Sequence, residues 1–297
     1  MSLTTVDSGD IGVRVTTDDL AEVVRDPAAM RELRALLDRR WVVLLAPQQD
    51  ITKVAFGELA LALGFPEAQR HRSAGPPNAE GSTVPGYEFV ADFGARAKAT
   101  ATPHPAREPS FIEGLHYDGI SAYSMQANFH SPETTPNLWC DMRAAYRELP
   151  RHLRAIVDAR AALHAVVPSP RTPLSEFPSF EASSARRRPL VIQHPRTREP
   201  LLYLPKNPAS KIEGLPDDEG RSVLQELWDF VARDAPRYTS RIGHNELVIW
   251  DGLGTTHTNP SYPRARDRTV WFLIIPGPWR DVEAYAAAPR ESQPTLS

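Results

Sequence analysis

His116-Tyr117-Asp118, His257 and Arg268 are the residues of this chain whose types and spacing suit chemistry. On a strand, a His and a carboxylate two positions on project from the same face, because side chains alternate. Two His and one carboxylate on one face of a metal leave the opposite face open, the ligand set expected of a non-haem Fe(II) oxygenase. The same trio also binds zinc, so a zinc-dependent hydrolase or isomerase is an alternative. Arg268, eleven residues beyond His257, adds a fixed guanidinium fork suited to a carboxylate. An oxoacid cosubstrate requires such a fork, whereas the zinc reading leaves Arg268 without a task. A non-catalytic binding protein is a further alternative, against which the intact trio and Arg268 argue. His71, His104, His130, His152, His164, His194 and His244 show no ligand spacing. No Gly-x-Ser-x-Gly elbow and no Gly-rich phosphate loop is present.

The elements that must position these residues follow from pattern and punctuation. Residues 1–15 read as a short lead-in strand or tail. Asp26-Pro27 opens a helix, Asp as N-cap and Pro at the first helical position, with Met30, Leu33, Leu36 and Leu37 at helical spacing. Trp41 to Leu45 is a buried strand, and Ile51 to Leu63 a second helix stopped by Gly64 and Pro66. A Gly- and Pro-rich loop over about 70–109 precedes the His116 strand and is placed to act as a lid. Residues 111–130 are strand material, Leu138-Trp139 ends the next strand, and helices cover Asp141 to Leu149 and Leu153 to Ala162. A second insert spans about 168–190, and Leu190–Gln193 and Leu201–Leu204 flank a hairpin. Asp217 to Val231 is a helix with Val223, Leu224, Leu227, Trp228 and Val231 on one face. Asn245 to Trp250 and Thr269 to Ile275 are the last strong strands. The pattern predicts a mainly β protein with helices: a double-stranded β-helix (jelly-roll) core with N-terminal and inserted helices.

With 297 residues, the chain is expected to form a single domain. A net charge of −3, a pI of 6.3 and 24% charged residues exclude the basic surface of a nucleic-acid binder. The Arg186-Arg187-Arg188 run reads as a solvated loop. One cysteine, Cys140, read as a small buried hydrophobe, allows no internal disulfide and fits a reducing compartment. No apolar stretch approaches the roughly 20 residues of a membrane helix, and no signal pattern opens the chain. A cytoplasmic enzyme acting on a small molecule, without nucleic acid or membrane, is the expectation, and a homo-oligomer is compatible with it.

Several segments, in order, resemble the taurine dioxygenase (TauD/TfdA) family of Fe(II)- and 2-oxoglutarate-dependent oxygenases. They are Leu115-His116-Tyr117-Asp118, Asn137-Leu138-Trp139, His194-Pro195-Arg196-Thr197, Lys211 to Leu215, and Gly243 to Asp251 before His257. The resemblance covers roughly Asp26 to Pro276. It implies that His116, Asp118 and His257 hold Fe(II), that Arg268 grips the far carboxylate of 2-oxoglutarate, and that Asn137 contacts the same cosubstrate. It implies O2 as second cosubstrate, with succinate and CO2 formed as a C–H bond of the substrate is oxidised. Asp118 fills the position a halide would need, which disfavours halogenation. Taurine dioxygenase holds its sulfonate with an Arg four residues beyond the cosubstrate Arg; that position here is Phe272, which disfavours a sulfonate substrate. Gly119, Tyr87, Lys206 and Pro208 are the further substrate-contact candidates.

Overall fold

The computed structural model describes residues 3–8, 11–64, 91–93, 120–130, 136–164, 185–205, 210–258, 269–279 and 281–287. Residues 3–64 build one side of the large sheet and its helices. Strands β1 (Thr4–Ser8) and β2 (Val13–Thr17) lead into helices α1 (Leu20–Arg25) and α2 (Pro27–Arg40). Asp26 caps α2 by accepting from Ala28 N at 2.8 Å, and Pro27 takes the position where a missing N–H costs nothing. The helix ends on Trp41, a non-glycine residue at φ 62° whose N–H still bonds to Leu37 O at 2.9 Å. This left-handed cap turns the chain into β3 (Val42–Pro47), and α3 (Lys53–Leu63) follows behind the Thr52 cap.

The middle of the chain supplies β4 (Ala91–Phe93), β5 (Ser121–His130), β6 (Asn137–Asp141), α4 (Met142–Glu148), α5 (Arg151–Ala159), β7 (Ala161–His164) and β8 (Arg186–Pro189). Next come β9 (Val191–Gln193), β10 (Pro200–Leu202), β11 (Lys211–Ile212), α6 (Asp217–Asp234), β12 (Arg237–Ser240), β13 (Glu246–Asp251), β14 (Thr255–Thr258) and β15 (Thr269–Pro276). The described residues thus form a mixed α/β molecule with several sheets. Three expectations are corrected. β4 lies inside the segment read as loop, where it pairs with β15 (Phe272 opposite Ala91). The Arg186–Arg188 run, read as a solvated loop in an insert, is a strand paired with β7. The helix expected to reach Ala162 stops at Ala159, and Ala161 to His164 extend instead.

A seven-stranded sheet in the order β1-β2-β3-β13-β5-β15-β4 forms the frame. β2 and β3 run parallel; the other pairings are antiparallel. Side-chain alternation gives this sheet two different faces. Met125, Ala127, Leu247, Ile249, Leu273 and Ile275 pack under the helices with Leu33, Leu37, Phe56 and Leu59. On the opposite face, Val248 and Trp250 meet Trp139 of a three-stranded sheet ordered β12-β6-β14. Two sheets therefore enclose a core of Trp41, Leu44, Trp139, Val248 and Trp250. Behind the smaller sheet, α4, α5 and α6 cover a third core with β9 and β10.

Candidate active site

β14 carries His257, and its register with β6 places His257 opposite Trp139. The imidazole is 2% exposed. It stacks on Trp139 at 5.2 Å between ring centres and lies 4.7 Å from Trp250 of the facing sheet. Its Nε2 is 3.2 Å from Asn137 Oδ1. An amide oxygen only accepts, so this contact puts the His257 proton on Nε2 and the lone pair on Nδ1. Phe272 of β15 lies on the same interior side, 6.1 Å from Trp250. His257 and Phe272 thus flank Trp250, with Asn137 against His257. His116, Asp118, Arg268, Tyr87, Gly119, Lys206 and Pro208 lie outside the described residues. Their chain neighbours do not: β5 starts at Ser121 and β15 at Thr269, immediately after Arg268.

The turn that delivers His257 is built on Asp251, which is fully buried. Its Oδ1 accepts from Leu253 N at 2.9 Å and Gly254 N at 2.6 Å, and its carbonyl accepts from Thr255 Oγ1 at 2.7 Å. Its Oδ2 meets His194 Nε2 at 3.1 Å and the Arg196 guanidinium. His194 Nδ1 already accepts from Thr197 N at 3.1 Å and Arg196 N at 3.3 Å, so Nε2 carries the proton given to Asp251. Burial alone would raise the Asp251 pKa. The neighbouring His194 and Arg196, with the Gly254 amide, outweigh it and hold the carboxyl well below the usual carboxylate range. Arg196 also bonds Asp38 at 2.8 Å and lies over the Tyr123 ring at 4.5 Å, tying the turn to α2 and β5. Trp41 then covers the turn: a Cβ on Gly254 would come within 2.5 Å of its ring.

A model of the taurine catabolism dioxygenase TauD, TfdA family matches residues 4–273. The chain belongs to the TauD/TfdA family. TauD/TfdA enzymes are 2-oxoglutarate-dependent dioxygenases, with Fe(II) as metal and O2 as second cosubstrate. The chain is 34% identical over 128 residues to the alpha-ketoglutarate-dependent 2,4-dichlorophenoxyacetate dioxygenase of Cupriavidus pinatubonensis, spanning 42% of this chain and 44% of that protein. It is 25% identical over 217 residues to the (S)-phenoxypropionate/alpha-ketoglutarate-dioxygenase of Delftia acidovorans, covering 65% of this chain and 73% of that one. Pentalenolactone F synthase of Streptomyces arenae matches at 27% over 105 residues, 34% of this chain and 35% of that one. Among solved structures, a taurine dioxygenase from Burkholderia xenovorans superposes with TM-score 0.70 at 22% identity, covering 93% of this chain and 90% of that one. AAD-2 in complex with Mn(II) and N-oxalylglycine gives 0.69 at 20% identity, covering 93% and 98%. At these identities the two structures speak for the fold alone.

The setting of His257 is compatible with a metal-binding imidazole. His257 is buried, held by two indole rings, and placed on a strand whose entry turn is locked. Among the described residues no group of three His, Cys, Asp or Glu side chains could hold a metal. Sequence pattern missed the Asp251–His194–Arg196 cluster. The available signals were Trp250-Asp251-Gly252 at a strand end and a His before Pro195, neither of which names its distant partner.

Proposed function

We propose that this chain is an Fe(II)- and 2-oxoglutarate-dependent oxygenase that hydroxylates or desaturates an unactivated C–H bond of a small organic molecule. The observation that carries this reading is His257, buried between two facing sheets on the strand that follows the Asp251 turn. The facing sheets are read as the two halves of a double-stranded β-helix. His116 and Asp118, just before β5, join His257 as iron ligands. Arg268, just before β15, pairs bidentately with the far carboxylate of 2-oxoglutarate. When bound, the iron and its cosubstrates supply the oxidising chemistry, with 2-oxoglutarate leaving as succinate and CO2.

The protein's own work is orientation and exclusion of water. Trp139 and Trp250 clamp the His257 ring from two sheets. Were Nε2 to hold the metal, the neutral ring would carry its proton on Nδ1 instead, and the Asn137 amide would turn its NH2 toward 2-oxoglutarate. Phe272 gives the interior an apolar wall where a sulfonate-binding enzyme would need a cation. The substrate class is an amino acid, a natural-product intermediate or an aryloxyalkanoic acid of the kind named for the relatives.

The test is anaerobic addition of Fe(II) and 2-oxoglutarate to the apo protein. The visible charge-transfer band of the chelate is expected, followed in air by succinate. No band and no succinate would overturn the proposal. A screen of amino acids and aryloxy acids, read by succinate release, then ranks substrates.

A further inference from the structure

β7 and β8 pair with Ala162 opposite Arg188 and His164 opposite Arg186. Side chains alternate, so His164 and Arg188 share one face of this ribbon and Leu163 and Arg187 the other. The two arginines meet different company. Arg187 is balanced by Glu213 and Glu283, each at 2.9 Å. Among the described residues Arg188 has no carboxylate partner, and its buried Nε–H donates to nothing. One guanidinium nitrogen donates to the Arg187 carbonyl at 3.0 Å, and the side chain is also hydrogen-bonded to Tyr203. His164, 4% exposed, stacks on Tyr203 at 5.6 Å. Among the described residues neither of its ring nitrogens has a partner. Burial, with the Arg188 charge beside it, pushes its pKa down to about 3, so the ring is neutral, with one N–H and one lone pair.

Two buried donors are therefore gathered without an acceptor, Arg188 Nε–H and one N–H of His164, beside the Tyr203 hydroxyl, whose oxygen receives from Arg188. Leaving buried donors unmet is unfavourable, and native structures seldom do so. A flat, acceptor-only group with two oxygens answers both and can also receive from the Tyr203 hydroxyl, and the arginine selects for an anion. A single cation suits a monoanion better than a phosphate dianion. We infer that His164, Arg188 and Tyr203 form a binding site for the carboxylate of a small molecule. None of the three belongs to the residues assigned to iron or 2-oxoglutarate, so the site adds a second, independent anion grip to the molecule.

The experiment uses the full chain with Fe(II) and saturating 2-oxoglutarate, without air, so that the cosubstrate's own place is filled. Calorimetric titration compares acetate and phenoxyacetate with the neutral 2-phenoxyethanol and with inorganic phosphate. The carboxylates are expected to bind, phenoxyethanol at least tenfold more weakly than phenoxyacetate, and phosphate more weakly than either acid. Arg188→Gln should lose tenfold or more in phenoxyacetate affinity, and Arg188→Lys should keep part of it. The charge-transfer band should be the same in both variants, which reports an intact fold. Admitting air separates two sources of the carboxylate. Oxidised phenoxyacetate marks it as the substrate's own, and succinate with the acid untouched marks a bound effector. Binding of no carboxylate, equal binding of the acid and the alcohol, tighter binding of phosphate, or an unaltered Arg188→Gln would each overturn the inference. If the band fails to form, the iron reading falls while the titration still decides this site.

Discussion

The Asp251 carboxylate makes four hydrogen bonds in the turn before His257. As a carboxylate with zero exposure facing His194 and Arg196, it is stabilising only while both partners are present. Asp251→Asn keeps the shape but leaves Arg196 facing a neutral amide. The expected loss is about 3–5 kcal/mol in urea unfolding, against about 0–1 kcal/mol for Asp38→Asn at the exposed end of the same network. A comparable loss for the two would mean that burial is not what makes the pair matter. A second expectation concerns pH. His164 has a folded pKa of about 3 against an ordinary 6.5. Between those values the unfolded chain takes up a proton that the folded chain refuses, so stability is full above about pH 6.5 and falls as pH drops, by up to ~1.4 kcal/mol per pH unit. His164→Phe should flatten that slope in melts recorded from pH 7.5 to 4.5. The Asp251 contribution is lost separately, only as pH falls below its unfolded value of 3.8.

At the scale of elements, the turn between β13 and β14 is the part most sensitive to volume. Gly254→Ala drives a methyl into the Trp41 ring, and Trp41 is itself 0% exposed and fixed at the end of α2. A destabilisation of about 1–3 kcal/mol is expected, with weaker metal binding because the shift propagates three residues to His257. Thermal melts and the intensity of the iron–2-oxoglutarate band measure the two effects; a drop in stability with an unchanged band would uncouple turn from ligand. The same elements show what the sequence discloses. α2 was legible because Asp26-Pro27 and the Met30-Leu33-Leu37 stripe are local signals. β13 and β15 were legible because both are continuous apolar runs. β14 was not: Thr-Thr-His-Thr has no apolar pattern, and only its pairing with β6 makes it a strand. β8 was missed for the same reason, since three consecutive arginines look solvated until Glu213, Glu283 and Tyr203 are brought to them. The resemblance placed Asn137 at the cosubstrate; in the structure its side-chain oxygen lies 3.2 Å from His257 Nε2.

Across the whole molecule the large sheet is assembled out of chain order. β13 sits between β3 and β5, with Val248 flanked by Leu44 and Gln126. Asn245 locks this arrangement by accepting from Ile51 N at 2.7 Å, across 194 positions of chain. Contacts so distant in sequence close slowly, because loop entropy must be overcome before they form. Refolding from urea is expected on the order of seconds or slower, and a chain truncated before Glu246 should show no protease-resistant core. Stopped-flow tryptophan fluorescence and limited proteolysis check both; a fast-folding or protected truncation would refute them. The out-of-order sheet also sets a timetable for metal acquisition. At about 5–20 residues per second, a ribosome making this chain releases the segment with His116 and Asp118 well before His257, by a gap on the order of ten seconds or more. On the proposed ligand set, the nascent protein then holds two of the three ligands before the sheets around His257 exist. Loading of that proposed centre is therefore expected late, once β14 has joined the sheets made before it.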